Sequence, residues 1–287
     1  MVSCCWCFKS THRPRGSTAS LRGVSTLNPD EVDDSSFGEM HSAVDCIDRN
    51  LSFMSMDPDE EIVHWLPPNS AIDQGQRCLK LLKRMITEKV GFLSSGSVGE
   101  TKLMYLPRSS SCDVMVTMGE IDVQSTIPHV DMSNYILNLD SRSIWDPQYL
   151  MGQQVGNVYT VNNNLNLRKV WLAFKSAPRM AGRDFLNYTM QENDSETAWI
   201  VSWGVPKEEI PDEFLPGKKS PPHVRGTLRL GGFRLQRLTP TCIQITFINQ
   251  ADIGVSAWLS EPALRKNPKF LNGLKTFLET VPERKTV

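Results

Sequence analysis

The chain begins with a cluster of three cysteines, Cys4, Cys5 and Cys7, that lie beside two aromatic residues. No acidic residue precedes Asp30, and four basic residues follow the cluster: Lys9, Arg13, Arg15 and Arg22. Two or three acyl chains next to a basic patch supply the two signals that stable attachment to a membrane requires. The cluster therefore predicts S-acylation (palmitoylation). Because residue 2 is Val2, N-myristoylation is excluded.

Two other interpretations of the cysteine cluster stay open. Either the three cysteines bind zinc together with His12, or they occur by chance in an unstructured tail. The Cys-Cys-x-Cys spacing differs from the C-x₂₋₄-C pairs that hold structural zinc. We therefore expect no metal site.

The remaining cysteines do not suggest a disulfide framework, because they are scattered and the total of seven is odd: Cys46, Cys78, Cys112 and Cys242. A reducing compartment is the simpler expectation. No stretch approaches the ~18 apolar residues of a membrane span, and the N-terminus lacks the basic-then-apolar order of a secretory signal. The net charge of -1 argues against binding to nucleic acid. These features predict a cytoplasmic protein with peripheral membrane association through its N-terminal tail.

The sequence contains none of the common catalytic motifs. H-E-x-x-H, G-x-S-x-G and G-x-G-x-x-G are absent, and residues 217–220 (GKKS) lack the upstream glycine of a phosphate-binding loop. His64, His129 and His223 have no obvious nucleophile or acidic residue to pair with in the sequence. We therefore predict a protein that is not an enzyme and needs no cofactor.

The elements that must position any site begin after residue 60. Residues 1–60 are rich in Ser, Thr, Gly, Asp and Met and show no sustained period, so we expect a disordered tail there and one domain over residues 61–287. Asn69 or Ser70 can cap an amphipathic helix. The apolar side of this helix carries Ile72, Leu79, Leu82, Met85 and Ile86.

Segments that alternate apolar and polar residues then predict an antiparallel sheet. They cover residues 113–123, 157–161, 167–174, 198–205, 224–230, 233–238 and 242–249, with a short helix over 128–139. A final helix after Gly254 is divided by Pro262 and Pro268, and its apolar residues are Trp258, Leu259, Leu264, Leu271, Leu274, Phe277 and Leu278. Strands followed by one covering helix predict an α+β fold with an apolar pocket between sheet and helix.

Five segments, in this order, resemble the START (StAR-related lipid transfer) family over about residues 65–280: LDSRSIWDPQY, SAPRMAGRDF, ENDSETAWIVSWGV, VRGTLRLGGF and NPKFLNGLKTFL. These motifs are nearest to the branch that carries phosphatidylcholine or ceramide. The resemblance implies a helix-grip fold, in which a curved antiparallel sheet wraps around a long C-terminal helix and encloses an internal lipid tunnel. It also implies binding without covalent chemistry.

The resemblance assigns Arg142 and Asp146 to the polar head of the ligand. A guanidinium is a fork-shaped donor that suits phosphate or ester oxygens. In an apolar tunnel the two charges together cost less than either one alone. A structural ion pair at a helix end is the alternative. A second pair, Arg183 and Asp184, is expected to fix a strand end and the loop after it.

The choline cage of the phosphatidylcholine carrier is matched only in part. Phe185 occupies one aromatic position, whereas Leu172 and Arg229 stand where that carrier has a tryptophan and a tyrosine. Trp171 and Trp203 would substitute after a one-residue bulge. Leu172 and Trp203 also replace two amides that would bind a ceramide head. If the apolar residues of its strand line the tunnel, Arg229 faces solvent.

These expectations combine into one predicted function. The chain binds a single lipid in the tunnel, with Trp258 of the final helix among the lining residues and that helix as a lid, and transfers it between membranes. A glycerophospholipid is favoured, and ceramide or a sterol stays open. The alternative is a regulatory module that senses lipid without transferring it, and a helix-grip enzyme is less favoured. The expected partners are the lipid and a membrane surface, with no nucleic acid, and the sequence does not identify a protein partner.

Overall fold

A computed structural model of the protein describes residues 71–109, 113–162, 165–176, 181–215, 223–255, 261 and 264–281. The predictions for Cys4, Cys5, Cys7 and Trp258 lie outside these residues, and so does the predicted boundary at residue 60. None of the helices in the described ranges is long and apolar enough to cross a membrane.

The helices are α1 (Ala71–Glu88), α2 (His129–Leu137), α3 (Leu139–Trp145) and α4 (Leu271–Thr280), and a 3₁₀ turn, Asn267–Phe270, precedes α4. The strands are β1 (Leu93–Val98), β2 (Thr101–Leu106), β3 (Val116–Gln124), β4 (Tyr149–Asn162), β5 (Leu165–Phe174), β6 (Arg183–Asn193), β7 (Thr197–Gly204), β8 (Val224–Arg225), β9 (Thr227–Thr239) and β10 (Cys242–Asp252).

The strands form one sheet in the order β1-β2-β3-β10-β9-β7-β6-β5-β4. All neighbours in this path are antiparallel, and the short β8 adds to β6 in parallel. The chain therefore crosses from β3 to the far edge at β4 through α2 and α3, then returns strand by strand. This architecture confirms the predicted α+β helix-grip fold.

Helix α1 covers one face of the sheet, which we call the outer face. Leu82, Met85 and Ile86 are fully buried there, and they pack in one cluster with Met118 of β3 and Met190 of β6. The spacing of these helix residues places them on one side, as the sequence predicted. Burial of this stripe is the main reason the segment is helical, because apolar burial outweighs local propensity.

The opposite, inner face of the sheet packs against α2, α3 and α4. Leu271, Leu274 and Leu278 of α4 are buried in a cluster that includes Ile121 of β3 and Ile245 of β10. Three phenylalanines fill the space at the start of α4, with ring centroids 4.8 Å apart for Phe233–Phe247 and 4.9 Å for Phe247–Phe270. The sheet is therefore covered on both faces.

Side-chain bonds fix α4 to the turn between β1 and β2. Asn272 donates from Nδ2 to the Val98 carbonyl at 2.8 Å and accepts from the Glu100 amide at 3.0 Å. Lys275 pairs with the Glu100 carboxylate at 2.8 Å. These contacts explain why a hairpin with mostly exposed residues is ordered against the helix.

The structure corrects several of the sequence-based strand assignments. Residues 224–230 and 233–238 were predicted as two strands, but β9 continues through Gly231 and Gly232. A Cβ at Gly232 would lie 2.2 Å from the Ile200 carbonyl oxygen and 2.8 Å from Leu82 Cδ2, so the glycine permits close approach of a neighbouring strand and α1. The β1–β2 hairpin and β6 were not predicted.

Candidate functional site

The candidate site begins in α3, a short helix that its own sequence delimits. Asn138 accepts hydrogen bonds on its side chain from the amides of Asp140 (2.9 Å) and Ser141 (3.2 Å), which caps the first turn. The helix ends at Trp145, and Asp146 is extended because Pro147 follows it. Asp146 therefore leaves the helix one turn after Arg142.

Arg142 and Asp146, which the resemblance assigned to the polar head of the ligand, form an ion pair with each other at the end of α3. Nε and Nη2 of Arg142 both lie 3.2 Å from Oδ2 of Asp146, and Oδ1 accepts from the Gln148 amide at 3.1 Å. Asp146 is 4% exposed. Among the described residues, nothing accepts a hydrogen bond from Nη1 of Arg142. Both carboxylate oxygens therefore accept hydrogen bonds, whereas the Nη1 group of the guanidinium remains an unused donor.

Three aromatic rings surround the Arg142 guanidinium. Its carbon lies 5.2 Å from the Trp145 ring centroid, 5.6 Å from that of Tyr149 and 5.5 Å from that of Phe174. Ring faces stabilise a cation at these distances. Burial raises the pKa of Tyr149, and the Arg142 charge opposes that shift. The pair is therefore held in a partly desolvated, aromatic environment.

Leu172 and Phe185 lie beside this pair on the inner face. Alternation along β5 places Leu172 and Phe174 on the same face, and Leu172 is directly opposite Phe185 in β6. The Phe174 and Phe185 rings meet edge to face with centroids 5.8 Å apart. The structure thus brings together four of the predicted site residues: Arg142, Asp146, Leu172 and Phe185.

A row of buried polar residues continues along the inner face of β6. Gln191 donates to Ser133 Oγ of α2 at 2.7 Å, and the hydroxyls of Thr189 and Ser202 lie 2.9 Å apart. Asn187 is 3% exposed, and its Oδ1 has no hydrogen-bond partner within the described part of the chain. A buried acceptor without a donor is costly, which makes Asn187 a candidate contact for a polar ligand group.

Trp171 and Trp203 lie on the outer face, away from the other predicted residues. Trp171 donates from Nε1 to Asp184 Oδ2 at 2.8 Å and stacks near Phe214. Trp203 packs in the α1 cluster, with its ring centroid 5.7 Å from that of Tyr188. Strand β6 pairs with β5 and β7 without a shift in register, so the bulge that would turn these tryptophans inward is not among the described pairings.

The remaining predicted polar residues have separate roles. Asp184 is bound by Arg225 of β8, at 3.1 Å from Nε and 2.8 Å from Nη2, and Arg183 donates to the Ile253 carbonyl at 2.7 Å. These bonds fix the start of β6. Arg229 makes a two-point contact with Asp113, at 2.6 and 3.1 Å, which lowers the pKa of Asp113.

Sequence reasoning missed Asn187 as a candidate site residue. The alternation in β6 was visible, but polar residues at every second position normally indicate a solvent-facing side. Only the contact of Gln191 with α2 shows that this side is covered.

Comparison with known proteins identifies the fold. No family model and no curated protein matches the sequence. Among solved structures, human StAR-related lipid transfer protein 5 is 14% identical, with a TM-score of 0.58 over 72% of this chain and 96% of that chain. Human STARD10 is 13% identical, with a TM-score of 0.56 over 74% and 80%.

A bacterial structure agrees with the two human ones. The STAR-related lipid transfer protein fragment from Xanthomonas axonopodis is 14% identical, with a TM-score of 0.52 over 66% of this chain and 99% of that chain. At these identities the likeness concerns the fold and not the ligand. It confirms the resemblance that the five sequence motifs carried, and the chain has the helix-grip fold of the START domains.

Proposed function

We propose that this chain binds one lipid between the inner face of its sheet and the C-terminal helix, and transfers it between membranes without covalent chemistry. The proposal rests on the environment of Arg142 and on its unused hydrogen-bond donor. Its guanidinium is mostly buried among three aromatic rings, and Nη1 has no acceptor among the described residues. An oxygen-rich ligand head supplies that acceptor.

The chemistry of this site favours a glycerophospholipid. A phosphodiester offers several acceptor oxygens and no donor, which suits a guanidinium with a spare N–H pair. Asp146 keeps Arg142 neutralised before the lipid enters, so the empty site does not hold an isolated charge. Leu172 and Phe185 supply apolar surface next to the pair for the glycerol region and the start of the acyl chains.

Native mass spectrometry of the purified chain after incubation with mixed vesicles tests the proposal. We expect one lipid per chain, with glycerophospholipids bound in preference to ceramide and cholesterol. Transfer of a labelled lipid between donor and acceptor vesicles then separates a carrier from a sensing module. A chain that retains lipid but does not move it would support the regulatory alternative, and a chain that captures no lipid would refute the proposal.

A further inference from the structure

Asn187 lies near the middle of β6, on the inner face of the sheet. It is 3% exposed, and the residues directly opposite it are Val170 of β5 and Gly204 of β7. Its side-chain oxygen accepts no hydrogen bond from any described residue. A buried carbonyl oxygen without a donor costs stability, so we expect a group from outside the described chain to reach it.

Other buried polar atoms of the described residues also lack a partner, but their situation differs from that of Asn187. Arg225 and Arg234 each have one unused nitrogen in a guanidinium whose other nitrogens are bonded. Trp203 has an unused Nε1, but it lies on the outer face in the α1 cluster. None of these three is on the inner face next to the Arg142 site.

The buried polar neighbours of Asn187 on the same side of β6 are bonded. The Thr189 hydroxyl lies 2.9 Å from that of Ser202, and Gln191 donates to Ser133 Oγ at 2.7 Å. These contacts join β6 to β7 and to α2, so they have a structural role. The amide of Asn187 joins no two elements in this way, and it is therefore available to a ligand.

Asn187 is one inner position away from the residues that surround Arg142. The preceding inner residue of β6 is Phe185, whose ring contacts Phe174 with centroids 5.8 Å apart. The Phe174 ring centroid lies in turn 5.5 Å from the guanidinium carbon of Arg142. Two residues of an extended strand span about 7 Å, which separates Phe185 from Asn187. A head group bound at Arg142 can therefore extend past Phe185 to Asn187.

The two positions differ in the kind of hydrogen bond that they need. At Arg142 the unused groups are donors, namely its own Nη1 and the Nε1 of the adjacent buried Trp145. At Asn187 the unused buried atom is an acceptor, and whichever way the amide is turned, its oxygen needs a donor. A phosphodiester supplies acceptors only. The donor for Asn187 has to come from the group attached to the phosphate.

A quaternary ammonium cannot supply this donor, because it has no N–H group. It binds instead to the faces of aromatic rings. The cross-strand neighbours of Asn187 are Val170 and Gly204, and the nearby tryptophans, Trp171 and Trp203, face the outer side. A primary ammonium or a hydroxyl group fits this position better than choline does.

We propose that Asn187 selects phospholipids whose head group ends in an N–H or O–H donor, while the phosphodiester lies at Arg142. The inference rests on the proposed function and narrows its ligand to head groups of the ethanolamine or glycerol kind. Phosphatidylcholine binds more weakly, because it leaves the Asn187 oxygen buried and unpaired.

The test uses the full chain and vesicles with equal amounts of phosphatidylethanolamine, its N-monomethyl and N,N-dimethyl derivatives, and phosphatidylcholine, all with the same acyl chains. The four head groups carry the same charge, and phosphatidylcholine alone lacks an N–H. Native mass spectrometry should show a step, in which phosphatidylcholine is captured about ten-fold less than each of the other three. A steady decline with each added methyl group would indicate selection by size and would overturn the inference.

Variants at Asn187 assign the step to its side chain. Asn187→Leu removes the acceptor and should abolish the step while still capturing phosphatidylcholine, whereas Asn187→Asp keeps an acceptor of the same size and should keep the step. Thr189→Val is the matched control, because it removes a hydroxyl that is already bonded to Ser202. Circular dichroism checks that each variant folds. An equal step in the wild type and N187L would overturn the inference, and so would an equal loss in N187L and T189V.

Hydroxyl donors are tested with phosphatidylglycerol against phosphatidylethanol, which has the same charge and no hydroxyl in its head group. Phosphatidylglycerol should be captured about ten-fold more, and N187L should remove the difference. A preference in one lipid series only would identify the ammonium or the hydroxyl as the donor. Capture of phospholipid without a preference in either series would overturn the inference alone. Absence of bound lipid in every variant would instead reject the proposed function itself.

Discussion

Arg142 reaches Asp146 through a single carboxylate oxygen, so the ion pair uses only part of the hydrogen-bonding capacity of the guanidinium. Nε and Nη2 share Oδ2, while the Gln148 amide occupies Oδ1. This geometry differs from the two-point contact of Arg229 with Asp113, in which each carboxylate oxygen receives its own donor. The difference distinguishes an arginine that is available to a ligand from one that is fully engaged.

The first prediction concerns a variant in which both charges of this pair are removed. R142Q alone leaves the buried Asp146 carboxylate without a cation, which costs stability. The double variant R142Q/D146N is neutral, and its two amides can still bond to each other, so we expect its fold to survive. Capture of phospholipid should fall about ten-fold, because one charge-assisted contact is lost. Native mass spectrometry measures capture, and circular dichroism checks the fold.

Arg84 and Glu88 provide the control for this pair. They have the same spacing on α1 and lie 3.3 Å apart, but both are exposed. R84Q/E88Q should leave lipid capture unchanged. If the Arg142 double variant binds phospholipid as well as this control does, the pair is a structural ion pair at a helix end.

The second prediction concerns the unsatisfied Asn187. Asn187→Leu preserves the approximate volume and removes a buried acceptor that has no donor, so the free energy of unfolding without lipid should rise by about 1 kcal/mol. Lipid capture should fall, since the ligand loses a polar contact. Urea unfolding and vesicle capture measure the two effects.

Gln191→Leu is the counterpart on the same strand face. The variant loses the hydrogen bond that the Gln191 side-chain amide donates to Ser133 Oγ, so it should be destabilised by about 1 kcal/mol. A loss of stability in Asn187→Leu as large as in Gln191→Leu would mean that Asn187 makes a structural bond. The proposal of a ligand contact at Asn187 would then be withdrawn.

The amphipathic pattern of α1 and the alternation of β10 were sufficient to predict these elements. Each of these two elements has one row of apolar residues. The burial of Leu82 in α1 and of Ile245 in β10 shows that this row faces the core. The site was harder to predict because a period of two shows which residues share a face, not which face lies inward. Trp171 and Leu172 are adjacent in sequence, yet only Leu172 lies beside Phe185 on the inner face.

The third prediction tests the close packing at Gly232. A methyl group there would overlap the Ile200 carbonyl oxygen, which belongs to a paired strand and cannot move away. We expect Gly232→Ala to destabilise the domain by about 3 kcal/mol, in the upper part of the range for overpacking. In Gly231→Ala the new methyl group would meet side chains and no backbone, Leu228 at 3.2 Å and Asn249 Oδ1 at 3.6 Å, so this variant should cost less. Urea unfolding of both variants measures the difference, and equal losses would contradict the packing argument.

The fourth prediction concerns thiol reactivity. Burial raises the pKa of Cys78 to about 12, because α1 places its side chain in the apolar cluster. At pH 8 the reactive thiolate is therefore almost absent, and Cys78 should resist alkylation in the folded chain. Cys242 at the start of β10 is partly exposed and serves as the internal reference. Peptide mass spectrometry after iodoacetamide treatment should find Cys242 modified first. Equal labelling would mean that α1 opens readily.

The last prediction concerns attachment through the N-terminal cysteines, which we propose from the sequence alone. A single acyl chain holds a protein only marginally, whereas two or three chains beside four basic residues should hold it on an anionic membrane. Changing Cys4, Cys5 and Cys7 to Ser should move the full chain to the soluble fraction. Hydroxylamine, which cleaves thioesters, should release the wild type in the same way.

Transfer between vesicles in vitro should be unchanged, because the lipid contacts proposed at Arg142 lie far along the sequence. A triple variant that still fractionates with membranes would show that acylation does not attach it.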